Sequence, residues 1–151
     1  MGLLQIPRRV DYGLRAIIYL AGQDPEKCCS IAEISTRQAI PKKFLEKIIQ
    51  DLMRTGLIRS KRGSCGGYAL ARSPNEITFH AVIEALEGPL AVNACLGEDA
   101  CCDQLAHCAM VSVWSEIQRK VTEVFTQTTL ADLQRTPCGD FVQTSSLSSA
   151  A

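Results

Sequence analysis

Residues 30–72 read SIAEISTRQAIPKKFLEKIIQDLMRTGLIRSKRGSCGGYALAR and carry the strongest secondary-structure signals of the chain. Ser30 and Glu33 have the spacing of a capping box, which predicts that a short helix begins there. Pro41 suits the first position of a second helix, because its missing N–H would have no partner in that turn. Gly56 suits the residue just beyond the end of that helix. The stretch therefore predicts two helices joined by a short connection.

A β-hairpin is predicted directly after these helices. Leu57–Arg62 and Tyr68–Arg72 have the composition of strands, and Gly63–Gly67 supplies a glycine-rich turn between them. Because this turn joins two strands, it does not fit a phosphate-binding loop, which joins a strand to a helix. Two helices followed by a basic hairpin predict a winged helix-turn-helix, in a mainly α fold with a small β-hairpin wing.

The charges are unevenly distributed along the chain. The whole chain has 16 basic and 16 acidic residues and a net charge of zero. Residues 42–72 hold eight basic and two acidic residues, whereas residues 73–151 hold three basic and ten acidic ones. Such a basic block suits a polyanion, although a solvated helix face is the alternative interpretation. The candidate residues for binding double-stranded DNA are Lys42, Lys43, Glu46, Lys47, Arg59, Lys61 and Arg62.

A long helix is predicted near the C-terminal end, from Leu105 to about Thr126. Apolar residues recur along it at spacings of four, three, four and three, which is the pattern of a helix that pairs with another helix. We expect this seam to form a homodimer. The seam residues are Met110, Trp114, Ile117, Val121 and Val124.

These patterns predict four regions of the chain. Thr78 can cap one more short helix, which Gly88-Pro89 ends, and a cysteine-rich loop follows it. The tail is rich in serine and alanine and is expected to be disordered. The predicted regions are a DNA-binding domain over 1–89, a cluster-binding loop over 90–108, a dimerisation helix over 105–135 and a disordered tail over 136–151.

Eight cysteines are many for a chain in which we recognise neither a secretory signal nor an apolar run long enough for a membrane. We therefore expect a cytoplasmic protein, in which structural disulfides are rare and bound metal or redox chemistry is the better explanation. Four cysteines lie within residues 95–108, whereas Cys28, Cys29, Cys65 and Cys138 are scattered and receive no special role.

Thiolates are ligands of iron–sulfur clusters and of zinc. Because the loop has no pair of cysteines separated by two residues, the wider spacing favours an iron–sulfur cluster over zinc. A regulator that uses zinc or thiol oxidation, without a cluster, is the second hypothesis. A small iron–sulfur electron carrier is the third, but it would not need the basic winged helix. The candidate ligands in the loop are Cys95, Cys101, Cys102, His107 and Cys108.

Several motifs together resemble the Rrf2 family of winged-helix transcription factors, which includes IscR, NsrR, RirA and CymR. The similarity extends over about residues 3–135, and the combination of motifs is far more specific than any one of them. The motifs are Asp11–Ala16 (DYGLRA), Ile31–Ile34 (IAEI), Phe44–Ile48 (FLEKI), Leu57–Gly63 (LIRSKRG), Gly66–Tyr68 (GGY) and Thr129–Leu133 (TLADL).

The resemblance implies an iron–sulfur cluster held by three loop cysteines. The last two ligands in the family are separated by five residues, and Cys102 and Cys108 have that spacing. This favours Cys95, Cys102 and Cys108, with Cys101 as the alternative to Cys102 and His107 as a substitute ligand.

The fourth ligand distinguishes groups within the family. The IscR group places a histidine three residues after the last cysteine, where this chain has Val111. The NsrR group uses an aspartate of the first helix, donated by the partner subunit, and Asp11 matches that position. The chain therefore resembles the NsrR group most closely, which favours a 4Fe–4S cluster that reacts with nitric oxide, with a 2Fe–2S cluster still possible.

The resemblance also implies a function. It predicts a homodimeric repressor, not an enzyme, that binds a palindromic operator and responds to nitric oxide, redox or iron–sulfur status. It assigns base and backbone contacts to Lys43 and Glu46 in the second helix of the helix-turn-helix and to Arg62 in the wing.

Overall fold

The computed structural model describes residues 5–100 and 102–135. Within them the chain forms six α-helices and one two-stranded antiparallel sheet. None of the described helices is long and apolar enough to cross a membrane. The elements are α1 (Arg8–Ala21), α2 (Ile31–Gln38), α3 (Lys42–Arg54), β1 (Ile58–Lys61), β2 (Gly67–Leu70), α4 (Phe79–Glu87), α5 (Val111–Gln127) and α6 (Leu130–Arg135). This mainly helical fold with a hairpin wing confirms the predicted fold class.

Helix α1 lies at the centre of the protein. It packs against α2, α3, α4, α6 and β2, and the side chains of Ala16 and Ile17 are fully buried. Leu45, Ile48 and Leu52 of α3 extend the same core, because a spacing of three and four residues places them on one side of that helix. The core therefore joins α1 to α3, so the position of one helix depends on the other.

Helix α2 begins as predicted, but only half of the capping box forms. The Ser30 hydroxyl accepts a hydrogen bond from the Glu33 backbone N–H at 3.1 Å. The Glu33 carboxylate accepts from the Tyr19 hydroxyl at 2.9 Å and from Lys27 Nζ at 3.2 Å. These two donors lower the pKa of Glu33 below its usual value, the tyrosine hydrogen bond having the larger effect. Glu33 thus ties α2 to α1 and to the loop between them.

Helix α3 ends as predicted and begins one residue later than predicted. Pro41 precedes the first helical residue, so it is the N-cap and not the first position of the helix. Gly56 has φ +72°, and its N–H donates to Met53 O while the Leu57 N–H donates to Leu52 O, both at 3.0 Å. These two bonds form a Schellman motif, which turns the chain directly from α3 into the wing.

The wing strands are shorter than the predicted ones, since Leu57 is used in the Schellman motif before β1 starts. Ile58 pairs with Leu70 and Lys61 pairs with Gly67. Strand β2 of the wing is also attached to the core, because Cys29 and Tyr68 exchange two backbone hydrogen bonds of 2.9 and 2.8 Å. Cys29 is fully buried there, and this burial raises the pKa of its thiol.

The long C-terminal helix begins six residues later than predicted. Leu105–His107 form a short 3-10 turn, and α5 starts only at Val111. Cys108 separates the two, because its backbone is extended (φ −83°, ψ 111°) and cannot continue a helix. Helix α4 is capped as predicted by Thr78, whose hydroxyl accepts from the Ala81 N–H at 3.1 Å. The predicted disordered tail, residues 136–151, lies outside the described residues, as do Cys101 and Cys138.

Replacing Gly67 with alanine is expected to destabilise the fold more than replacing Gly63. Both glycines have positive φ, of +149° and +117°. A Cβ on Gly67 would lie 2.5 Å from the Cys29 carbonyl oxygen, whereas a Cβ on Gly63 would meet nothing within 4 Å. Gly63→Ala should cost about 1–3 kcal/mol of backbone strain. Gly67→Ala should cost roughly 1–3 kcal/mol more, because the wing must separate from Cys29. Urea denaturation followed by circular dichroism measures both values, and equal losses would contradict the role given to the Cys29–Tyr68 contact.

Candidate nucleic-acid interface and cysteine loop

The outer face of α3 is cationic. Lys43, Lys47 and Arg54 are exposed, and their spacing places them opposite the buried side of the helix. Lys42 is also exposed, whereas Glu46 is half-buried toward one edge of this face. The helix therefore presents ammonium and guanidinium groups to solvent along one side, which is the arrangement that binds a phosphate backbone.

The wing adds two further exposed cations to the interface. Lys61 and Arg62 are exposed at the end of β1 and in the turn that follows it. Arg59 is different, because its guanidinium donates to two backbone carbonyl groups, Leu70 O at 3.1 Å and Pro25 O at 3.2 Å. Its side chain therefore links the wing to the α1–α2 loop. The proposed contact of Arg59 with DNA stays a prediction. In the structure its guanidinium connects two parts of the protein.

Arg9 was not among the residues predicted from the sequence. Its guanidinium forms an ion pair with Asp51 of α3, whose side chain is only 16% exposed and also accepts from Arg54 at 2.8 Å. Arg9 thus joins α1 to α3 and lies beside Lys43 and Lys47 in the same shallow concavity. One signal could have found it: Arg9 lies in the first turn of α1, where the helix dipole disfavours cations, so a partner was to be expected.

Phe44 was also absent from the candidate list. It lies on the flank of α3 that faces α1, and its ring meets the Tyr12 ring edge-on with centroids 6.0 Å apart. Half of Phe44 remains exposed. Arg9–Asp51 and Tyr12–Phe44 are therefore two separate side-chain contacts between the first helix and the candidate recognition helix.

The cysteine loop follows Gly88 and precedes α5. It contains two 3-10 turns, Ala94–Leu96 and Leu105–His107, and the Val92 N–H donates to Gln118 Oε1 of α5 at 3.1 Å. Cys95 and Cys108 are half-buried, whereas Cys102 and His107 are exposed. The alternative ligand Cys101 lies outside the described residues.

The described part of the chain does not gather the predicted ligands. No three histidine, cysteine, aspartate or glutamate side chains of residues 5–100 and 102–135 surround a common point. The donor set nonetheless fits an iron–sulfur cluster chemically, because Cys95, Cys102 and Cys108 are unpaired thiols outside the hydrophobic core. Asp11 lies on α1, about half exposed, where its carboxylate pairs with Arg15 at 2.9 Å.

Helix α5 has an apolar face that the described residues cover only in part. None of its 17 residues is buried, although Phe125 packs on Phe79 of α4 with ring centroids 5.1 Å apart. Of the predicted seam, Met110 and Val124 are 61% and 54% exposed, whereas Trp114, Ile117 and Val121 are half-buried. Val113 was not among the predicted seam residues, but it is 57% exposed on the same side as Ile117 and Val124. The opposite side is polar, and there Arg119 lowers the pKa of Glu116 to about 2.

Known proteins resemble this chain over most of its length. The model of the Rrf2 family, described as an iron-dependent transcriptional regulator, matches residues 6–136. The Rrf2 protein of Nitratidesulfovibrio vulgaris is 36% identical over 132 residues, which cover 87% of this chain and 88% of that protein.

Two solved structures are similar in fold. IscR of T. potens has a TM-score of 0.72 and 32% identity, with 87% of this chain and 86% of that chain covered. CymR, the global cysteine regulator of B. subtilis, has a TM-score of 0.73 and 32% identity, with 89% and 99% covered. The relatives are named as transcriptional regulators, which confirms that this chain is not an enzyme.

Replacing Lys47 with alanine is expected to weaken binding to DNA of any base sequence. A lysine that contacts phosphate releases about one counterion, so the slope of log affinity against log salt should fall by about one for each bound protomer. Lys120→Ala is the matched control, because Lys120 is an exposed lysine on α5. Fluorescence anisotropy at several salt concentrations measures the slopes. The same change in both variants would show that the effect is general charge and not contact through α3.

Proposed function

Because the chain belongs to the Rrf2 family of transcriptional regulators, we propose that it is a homodimeric repressor that binds a palindromic operator under the control of an iron–sulfur cluster. One observation carries the proposal. The exposed cations of α3 and the wing, the thiol-rich loop and the exposed apolar face of α5 occur in one small chain, in which α1 packs against α3 and α4, and α4 packs against α5. Assignment as a repressor and not an activator rests on the family resemblance alone.

DNA binding is assigned to α3 and the wing. A helix with cations on its outer face fits the major groove, where base edges differ most between base pairs. In this proposal Lys42, Lys43 and Lys47 contact the backbone or bases. Glu46 accepts from a base amino group, and Lys61 and Arg62 of the wing reach the neighbouring backbone or minor groove.

Dimerisation is assigned to the exposed face of α5. An apolar stripe of this kind on an otherwise well-packed small protein is expected to be covered by a partner. A second copy of the chain is the simplest partner, because the same stripe can pack on itself about a twofold axis. Twofold symmetry then explains why the operator should be palindromic.

The cluster is assigned to Cys95, Cys102 and Cys108, with Asp11 of the partner subunit as the fourth ligand and Cys101 and His107 as alternatives. A bound cluster would supply a centre that nitric oxide, oxidation or iron shortage can change. Only Asp11 would come from the other subunit, so this assignment requires the three loop thiols, which are not gathered in the described chain, to converge on the cluster when it binds. A 4Fe–4S cluster is favoured, and a 2Fe–2S cluster is the alternative.

The chain has contacts that can carry a change in the loop to the DNA interface. Cys108 lies immediately before α5, so tethering this thiol positions the start of the dimerisation helix. Asp11 lies between Arg9 and Tyr12, which contact Asp51 and Phe44 of α3. A shift of α1 on loss of its Asp11 contact would therefore move α3, and the spacing of two α3 helices would no longer match the operator.

A regulator without a cluster is the second candidate. It is favoured by the exposure of Cys102 and by the separation of the loop thiols within the described chain, since an oxidation sensor needs accessible thiols and no assembled site. Membership of a family of transcriptional regulators favours both candidates over an electron carrier.

Replacing Cys108 with alanine is expected to abolish the visible absorption of the anaerobically isolated protein, because one thiolate ligand is lost. Cys65→Ala is the control, since Cys65 is an exposed thiol in the wing and outside the loop. Native mass spectrometry, with iron and sulfide analysis, reports cluster mass and dimer state together. A colourless wild-type protein with stoichiometric zinc would contradict the cluster and support the second candidate.

Replacing Val124 with glutamate is expected to shift the protein from dimer to monomer. The residue is 54% exposed in the single chain, so little core packing is lost, but the dimer would bury an unpaired carboxylate. The dimer dissociation constant should rise about tenfold or more. Thr126→Glu, on the opposite side of α5, is the control. Light scattering after size-exclusion chromatography measures the mass, and a dimer unaffected by Val124→Glu would contradict the proposed interface.

A further inference from the structure

Phe44 is a large apolar residue of α3 that the core does not bury. The apolar residues Leu45, Ile48 and Leu52 of the same helix are buried, whereas Phe44 is 50% exposed. A half-exposed phenylalanine at the edge of a cationic surface does not contribute its full apolar area to folding. The exposed part of the ring is therefore available for binding.

The ring of Phe44 is held in place. The Tyr12 ring meets it edge-on, with an interplanar angle of 85°, and the Arg15 guanidinium lies 5.9 Å from the centroid of the Tyr12 ring. Aromatic pairs of this geometry are worth about 0.5–1.5 kcal/mol beyond the area they bury, which favours this position of the ring. Phe44 thus presents an apolar surface that is partly ordered before binding, which lowers the entropy cost of binding.

The surroundings of Phe44 indicate which ligand meets it. Arg9, Lys43 and Lys47 line the same concavity, so phosphates drawn to these cations would place a duplex over the ring. The floor of the major groove offers one apolar group, the C5 methyl of thymine, and phenylalanine is among the side chains that contact it.

We propose that Phe44 reads a thymine methyl group in the operator, at one position for each bound protomer. This inference rests on the proposed binding of DNA through α3. It adds an apolar specificity contact to an interface whose sequence-predicted members are all charged. Phe44 and the half-buried Glu46 lie on opposite flanks of the cationic face, so they would contact different base pairs.

Deoxyuridine substitution tests the inference. Duplexes are first selected from a random library by the anaerobically isolated full-length protein. Each thymine is then replaced in turn by deoxyuridine, which keeps base pairing and lacks only the methyl group. Loss of one buried methyl contact should weaken wild-type binding about fourfold at one position for each protomer. Phe44→Ala should weaken binding to the thymine duplex by at least as much and should show no further loss with deoxyuridine.

Two further variants provide matched controls. Phe44→Leu keeps an apolar side chain and should retain the dependence on the methyl group. Lys47→Ala should weaken binding to all duplexes and should retain that dependence too. Circular dichroism melting of Phe44→Ala, a change at a half-exposed site, checks that the fold is intact.

The outcomes separate this inference from the proposed function. If the wild-type protein binds DNA selectively but no deoxyuridine position distinguishes it from Phe44→Ala, the inference is wrong and the proposed function stands. If the wild-type protein shows no sequence-selective binding, both are wrong. If Phe44→Ala changes the dimer mass and leaves DNA affinity intact, the ring belongs to a protein interface and the inference is again wrong.

Discussion

The packing of α1 into the centre of the fold is the constraint on which the other features depend. Its buried side, which includes Ala16 and Ile17, contacts most other elements and leaves the helix little freedom to move alone. Its outer side carries Arg9 and Tyr12, which contact the candidate recognition helix, and Asp11, the proposed fourth ligand of a cluster. The same helix thus supports the core on one side and, in the proposed function, connects the DNA interface with the cluster on the other.

Positive and negative charges are concentrated in different parts of the molecule. The basic block lies on α3 and the wing, and the acidic excess lies mainly in α4 and the cysteine loop, since the two acidic and two basic residues of α5 balance. Within the basic surface Asp51 has a local structural role, because it pairs with Arg9 and Arg54. The surface therefore combines cations that pair with Asp51 and exposed lysines, Lys43 and Lys47, that are available for contact with a phosphate backbone.

Much of the fold was predictable because its signals are local. Ser30, Thr78 and Gly56 act within a few residues of their own position, so caps and helix ends follow from spacing. The predictions were wrong where a neighbouring residue interrupted the predicted helix or where a side chain bonded to a residue other than the predicted one. The helix predicted from Leu105 is interrupted at Cys108, and Glu33 bonds to Tyr19 and Lys27 and does not complete its capping box. Apolar periodicity alone could not show that Val121 is half-buried in the chain while Val113 is exposed.

The sequence by itself determined the order of the elements, the cationic character of α3 and the wing, the cysteine-rich loop and the family, because these depend on residue type and short spacing. Only the tertiary structure decided which of the cationic side chains bond to other parts of the protein. Arg59 is held by the carbonyls of Pro25 and Leu70, and Arg9 is held by Asp51, 42 residues away in the chain. It also decided that Phe44 stays half-exposed beside Tyr12. Such contacts join segments far apart in sequence, and their existence depends on how α1, α3 and the wing pack together.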